Sequence, residues 1–246
     1  LKTALPTQHR EGPERALVRC EGLTFRWPGA PGPVLENVDF RLQPGERVLL
    51  RGASGAGKST FLNLLAGILV PTGGTLTVAD CDLRRASGRA RDQLRASELG
   101  VIFQQFNLLP FLSVLDNVLL PLRFSRQRWA RANAEPGGAQ GAAGRLLEAL
   151  GLSLHTLAGR TVAQLSVGQQ QRVAAARALL GGPRLVLADE PTSALDPENR
   201  DAFLKQLEAL QRAEGCALLC VSHDPALAPF FDRTVALKAG PGALGP

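Results

Sequence analysis

Residues 52–60 read GASGAGKST, with three glycines and a lone lysine just before two hydroxyls, set between the apolar runs RVLL and FLNLLAGIL. The spacing G-x-x-x-x-G-K-[ST] is met by Gly52, Gly57, Lys58 and Ser59. So little side chain leaves backbone N–H groups free to turn toward an anion. A helix that starts directly afterwards aims the positive end of its dipole the same way. Phosphate fits this arrangement. The stretch Gly52, Ala53, Ser54, Gly55, Ala56, Gly57, Lys58, Ser59 and Thr60 wraps the groups, the Lys58 ammonium reaches the outer ones, and the Ser59 hydroxyl can ligate Mg²⁺. A chance glycine turn would need neither the strand before nor the helix after. The loop is expected to cradle a nucleoside triphosphate.

A phosphate cradle serves many chemistries, and LVLADEPTSALD, residues 185–196, narrows them. Four apolar residues run into Asp189 and Glu190. A carboxylate at the end of a buried strand is costly unless it meets a cation or donors. A Mg²⁺ held through water beside Ser59 would meet that need for Asp189. Glu190, next in line, is placed to orient or deprotonate an attacking water. A nucleoside triphosphate with Mg²⁺, and hydrolysis of the terminal phosphate, are the expected ligand, metal and reaction.

Elements of alternating type must position these groups. ALVRCEGLTFRW and VLENVDFRL read as early strands, separated by the proline- and glycine-rich residues 28–33. RVLLRG reads as a buried strand feeding the loop. Phe61, Leu64, Leu65 and Ile68 fall at helical spacing after it. LVLADE and ALLCVS are short continuous apolar runs, as strands covered on both faces should be. Beyond Phe103 the chain turns largely helical, and within that section the Ala- and Gly-rich ARANAEPGGAQGAAG is expected to be a surface loop. The class is α/β. The 246 residues, 45% hydrophobic and 20% charged, suffice for one large domain with a subdomain. A net charge of +6 suits anionic partners without choosing among them, and the cluster RRASGRAR reads as a solvated face. No apolar run approaches the ~20 residues of a membrane span, and the opening segment has no signal-peptide character. A cytoplasmic location is expected. Cys20, Cys81, Cys216 and Cys220 follow neither zinc nor disulfide spacing and are expected as small core residues in a reducing compartment.

LSVGQQQRVAAARALL, taken with GASGAGKST, LVLADEP, SALD and VSHD in their order, resembles an ABC-type ATPase subunit over nearly the whole chain. The resemblance makes the nucleotide ATP and implies a P-loop NTPase fold of ABC type, with an N-terminal antiparallel β subdomain and an inserted helical subdomain near residues 105–178. The domain would span 16–240, between tails at 1–15 and 241–246. By the same resemblance Trp27 stacks on adenine, although an ordinary strand aromatic is the competing reading. Gln104 senses Mg²⁺ and the transporter interface, with Gln105 a second candidate. Ser166, Gly168 and Gln169 form the signature that closes over the γ-phosphate of a second subunit, Asp196 couples the two sites, and His223 contacts the γ-phosphate. Val167 stands where the family usually has glycine, and a β-branched residue would be strained there if the position needed a positive φ.

Each chain then offers one cradle and one signature, so a homodimer is implied, driving a transmembrane permease at the cytoplasmic face of the inner membrane, with no nucleic acid involved. FQQFNLLPFLSVLDNVLLP looks like the lipoprotein-releasing and macrolide-export (LolD/MacB-like) branch. Within it Phe106, Leu108, Leu109, Phe111 and Leu112 must either pack into a core or meet another protein. Regulation of a membrane-bound complex without transport is the alternative.

Overall fold

The computed structural model describes residues 16–157, 159–237 and 244–245. The expected tails at 1–15 and, apart from 244–245, at 241–246 lie outside them. The chain opens with β1 (Val18–Phe25), β2 (Leu35–Leu42) and β3 (Arg47–Arg51), followed by α1 (Lys58–Leu65), β4 (Gly73–Val78) and β5 (Cys81–Asp82). Next come α2 (Gly88–Glu98), β6 (Leu99–Ile102) and five helices, α3 (Val114–Leu119), α4 (Arg126–Asn133), α5 (Gly138–Ala149), α6 (Leu154–Leu157) and α7 (Val167–Leu179). Then β7 (Leu185–Asp189), α8 (Pro197–Glu214), β8 (Ala217–Val221), β9 (Arg233–Leu237) and β10 (Leu244–Gly245) complete it.

Two sheets form. One is antiparallel, in the order β2-β1-β4-β5, and the other runs β10-β9-β3-β8-β7-β6 with β9, β3, β8, β7 and β6 parallel. The continuous apolar runs are explained by what covers the parallel sheet. Val48, Leu50, Leu185, Leu187, Leu219 and Val221 pack with the antiparallel sheet and α1. The alternate residues Leu49, Val186, Ala188, Leu218 and Cys220 pack with α3, α5, α7 and α8. β3, β7 and β8 therefore bury both their faces, as strands of parallel sheets do. Gly100 lets α7 lie this close, since a Cβ there would stand 2.3 Å from the Ala178 carbonyl oxygen.

Three expectations are corrected. Residues 130–144 are not one loop: all but the short turn at 134–137 belong to α4 and α5, with Ala132, Ala142 and Ala143 fully buried. Alanine costs no side-chain entropy in a helix, and its small size lets helices approach closely, so poverty of large apolar groups did not mean exposure. A Cβ on Gly141 would fall 2.1 Å from the Pro136 carbonyl oxygen, so that glycine serves close packing rather than flexibility. Ile68 is not on the buried face of α1, because the helix ends at Leu65 and Ile68 is half-exposed. Three cysteines are buried core residues, but Cys81 is only half-buried in the two-residue β5.

Candidate active site

The carboxyl ends of β3, β7 and β8 open into one cleft of about 740 Å³, within the size range of small-molecule sites. From the β3 side come Gly52, Ala53, Ser54, Gly55, Gly57, Lys58, Ser59 and Thr60. Ala56 is the one member of that stretch that does not face the cleft. It is buried, and its N–H donates to the Ala53 carbonyl at 3.1 Å within the loop. Gly57 carries the geometry of the turn. Its φ of 88° is left-handed, and a Cβ would meet Leu35 at 2.9 Å and Val34 at 3.0 Å. It caps α1, no side chain bonds the helix's first N–H groups, and no acid stands in the first turn, so that positive end faces the cleft unneutralised. Lys58 folds back over the loop, where Nζ donates to the carbonyls of Gly52 at 2.9 Å and Ala53 at 3.0 Å.

Opposite the loop stand Asp189 and Glu190. Burial holds the Asp189 carboxyl above the ordinary carboxylate range, the nearby Glu190 adds to this, and the Ser59 hydroxyl and Lys58 act against it. A cation placed here would relieve that cost. Glu190 adopts φ 46°, a left-handed conformation unusual for a side chain of its size, pinned by its N–H donating to the Val221 carbonyl at 2.9 Å. Its carboxylate accepts from Ser222 Oγ at 3.1 Å and from the His223 N–H at 3.1 Å, and lies 2.8 Å from His223 Nδ1. A carboxylate has about four acceptor sites, so about one remains for a water. With Nδ1 engaged, Nε2 is the His223 nitrogen left to meet a ligand, on a side chain that is largely exposed.

Gln104, from the loop after β6, lines the same cleft and Gln105 does not. Trp27 also lines it, 44% exposed and edge-on to Phe25 with ring centroids 5.0 Å apart. Val34 and Ser193 line it too and were not foreseen. Ser193 lies three residues past Glu190 and donates its N–H to the Glu190 carbonyl at 3.2 Å, a proximity the run EPTS itself announced. Ser59, Gln104 and Asp189 thus share one cleft. Among the described residues no three His, Cys, Asp or Glu side chains cluster as a metal site. The donors that do converge are one hydroxyl, one amide and one carboxylate, a sparse oxygen set that fits Mg²⁺, which keeps waters and takes phosphate oxygens as ligands.

The structure does not bring the remaining expected residues here. Ser166, Gly168 and Gln169 open α7, where Ser166 Oγ accepts from the Gln169 N–H at 3.3 Å and Gln169 Oε1 accepts from the Ser166 N–H at 3.0 Å. Asp196 caps α8, accepting from the Asn199 N–H at 3.0 Å, and the backbone and side chain of Asn199 hold its carboxyl below the ordinary range. None of the four lines the cleft. They are neighbours of each other, for a Cβ on Gly168 would lie 3.4 Å from Leu195. Val167 takes the first helical position with no positive φ, so the strain feared for it is absent.

Residues 35–193 match the ABC transporter family. The chain belongs to that family. As an ABC cassette it is an ATPase. Two solved structures are similar over most of both chains. The ATP-binding cassette MJ0796 in a dimeric post-hydrolysis state bound to ADP and Pi is 34% identical, over 90% of this chain and 96% of that one, with a TM-score of 0.78. Dimeric MJ0796, described as a bacterial ABC transporter cassette, is 33% identical, over 93% of this chain and 97% of that one, with a TM-score of 0.80. Among the described residues of this ABC cassette no helix is long and apolar enough to cross a membrane.

Proposed function

We propose that this chain is the ATP-hydrolysing subunit of a membrane transport system, working as a homodimer at the cytoplasmic face of the inner membrane. One observation carries the dimer: the cleft gathers every expected catalytic side chain, while Ser166 and Asp196 cap helix starts away from it and Gly168 and Gln169 lie in the first turn of α7. A second copy could lay that helix N-terminus against the γ-phosphate, a position where its dipole favours anions. The related MJ0796 structures, both dimeric, support the arrangement.

In this reading Trp27 stacks on the adenine. The loop amides and Lys58 hold the phosphates, and Ser59 and Gln104 hold Mg²⁺, with Asp189 behind them. Mg²⁺, when bound, would supply positive charge against the phosphates. Glu190 orients a water in line with the γ-phosphate and takes its proton, and His223 presents Nε2 to the phosphate oxygens. Loss of the γ-phosphate removes the contacts that hold two copies together, so hydrolysis reopens the dimer.

The output goes to a transmembrane permease. An apolar groove of about 570 Å³ opens just past Gln104, walled by Leu99, Val101, Phe103, Leu120, Pro121 and Phe124, and this is the surface we assign to it. The FNLLPFL stretch supports membership of the lipoprotein-releasing and macrolide-export branch, and hence export or lipoprotein release.

ATPase assays test the enzymatic part. Lys58→Ala should weaken ATP binding, and Glu190→Gln should keep binding while slowing Mg²⁺-dependent turnover by about 10²-fold or more. Undiminished turnover in the glutamine variant would remove Glu190 from its role.

A further inference from the structure

Helix α4 is built inside out. Its buried residues are Arg128 and Ala132, while Trp129 on the outer side is 51% exposed. Arg128 is kept inside by bonds to three backbone carbonyls, those of Leu180 at 2.8 Å, Leu99 at 3.0 Å and Ala178 at 2.8 Å. Burying an arginine and exposing a tryptophan on one short helix costs stability in both places. The outer face is therefore expected to have a use.

Trp129 does not stand alone there. Arg123, Phe124 and Arg126 share a surface depression of about 500 Å³ with it, and Phe124 is 68% exposed. Between Asp116 and Glu135 the sequence holds four arginines and no acid. Arg123 and Arg126 are exposed and make no ion pair among the described residues, and Arg131 is exposed with a single bond to the Ser97 carbonyl at 3.2 Å. From the facing helix α2 the depression receives only Gln93, and the neighbouring Asp92 is already paired with Arg95.

We infer that this face rests on an anionic lipid surface. Guanidinium groups fork onto phosphate oxygens, while an indole and a phenyl ring between them enter the boundary below the headgroups, with the indole N–H left at the polar level. Charge complementarity selects a polyanion, and the paired exposed rings select one with an apolar layer behind its phosphates. The choice of a bilayer over other polyanions rests on the transporter reading. Phe124 also walls the apolar groove assigned to the permease, so a subunit docked there holds this face at the membrane. Direct lipid contact then adds to the hold of the protein partner.

The full chain should be mixed with phosphatidylcholine vesicles with and without phosphatidylglycerol, and followed by flotation and tryptophan emission. Flotation should require phosphatidylglycerol and fall with salt, and emission should shift to shorter wavelength, a shift that Trp129→Phe abolishes. Each arginine near such a surface contributes about fivefold, so Arg123→Glu with Arg126→Glu should weaken vesicle binding by about 25-fold or more. ATP binding at the cleft should be unchanged in both variants, which shows that they fold. Equal flotation with both vesicle types, or undiminished binding by the double variant, would overturn the inference. Tighter binding of a single-stranded oligonucleotide or an acidic peptide than of the vesicles would also overturn it. Loss of ATPase activity in the wild-type chain would count against the enzymatic reading alone and would leave the vesicle result standing.

Discussion

Changing Arg177 to lysine removes one of two bonds that hold the loop carrying Gln104. Arg177 projects from α7 into the protein, with Nη1 donating to the Asn107 carbonyl at 2.7 Å and Nη2 to the Phe106 carbonyl at 2.5 Å. It is buried without an ion pair among the described residues, and burial holds its pKa below the ordinary arginine range. The two residues it grips have φ of 60° and 48°, left-handed values that cost a non-glycine residue about 1 kcal/mol or more each. The clamp offsets that cost. A lysine can reach one carbonyl, and losing one charge-assisted bond is worth about 2 kcal/mol. Urea denaturation should therefore show Arg177→Lys about 2 kcal/mol less stable than wild type. Asn107→Gly, which accepts φ near 50° without strain, should recover about 1 kcal/mol of this in the double variant. The Mg²⁺ concentration for half-maximal ATPase activity should rise in Arg177→Lys, because Gln104 loses its fixed place, and fall back in the double variant. An unchanged Mg²⁺ requirement in Arg177→Lys, or one that Asn107→Gly does not lower again, would show that the clamp does not hold the loop.

Asp232 offers a test against pH. Hydrogen bonds from Arg47 to both its oxygens, at 2.8 and 2.6 Å, hold its carboxyl below the ordinary range. A depressed acid contributes stability above its unfolded pKa and loses it as pH falls through the folded one. Asp232→Asn should lower stability at neutral pH by about 1 kcal/mol, the upper end for a pair whose carboxylate is half-exposed, and the gap should close on acidification. A gap of the same size at low pH would mean packing, not charge, is at work. For the FNLLPFL stretch, Phe111→Asp should leave the isolated chain's ATPase activity intact and reduce stimulation by the permease, since Phe111 is 74% exposed. Unfolding of the variant would make Phe111 a core residue and sink its docking role.

The candidate cleft was legible in the sequence because its residues sit where strands end. Gly52 follows β3, Asp189 ends β7 and His223 follows β8, so three short motifs fixed three carboxyl ends of one parallel sheet. The helical section was harder to read, for two reasons. Alanines at 132, 142 and 143 pack as core although they look like loop composition, and Arg128 is buried where hydropathy would expose it. Both depend on partners far along the chain, such as the Leu99 and Leu180 carbonyls, that no local pattern announces. The group FNLLPF divided for the same reason. Phe106 is buried beside α7, whereas Phe111, five residues on, faces outward.

The central claim is that the signature of one chain completes the cleft of another, and the state of assembly of Glu190→Gln with ATP tests it most directly. Sedimentation should show a monomer without nucleotide and a dimer with ATP and Mg²⁺, because the slowed variant retains the γ-phosphate. Adding Ser166→Arg to that variant should return it to a monomer while each chain still binds one ATP. A dimer that persists in the double variant, or loss of ATP binding by the monomer itself, would contradict the account, since Ser166 would then be dispensable or would act on its own chain's cleft.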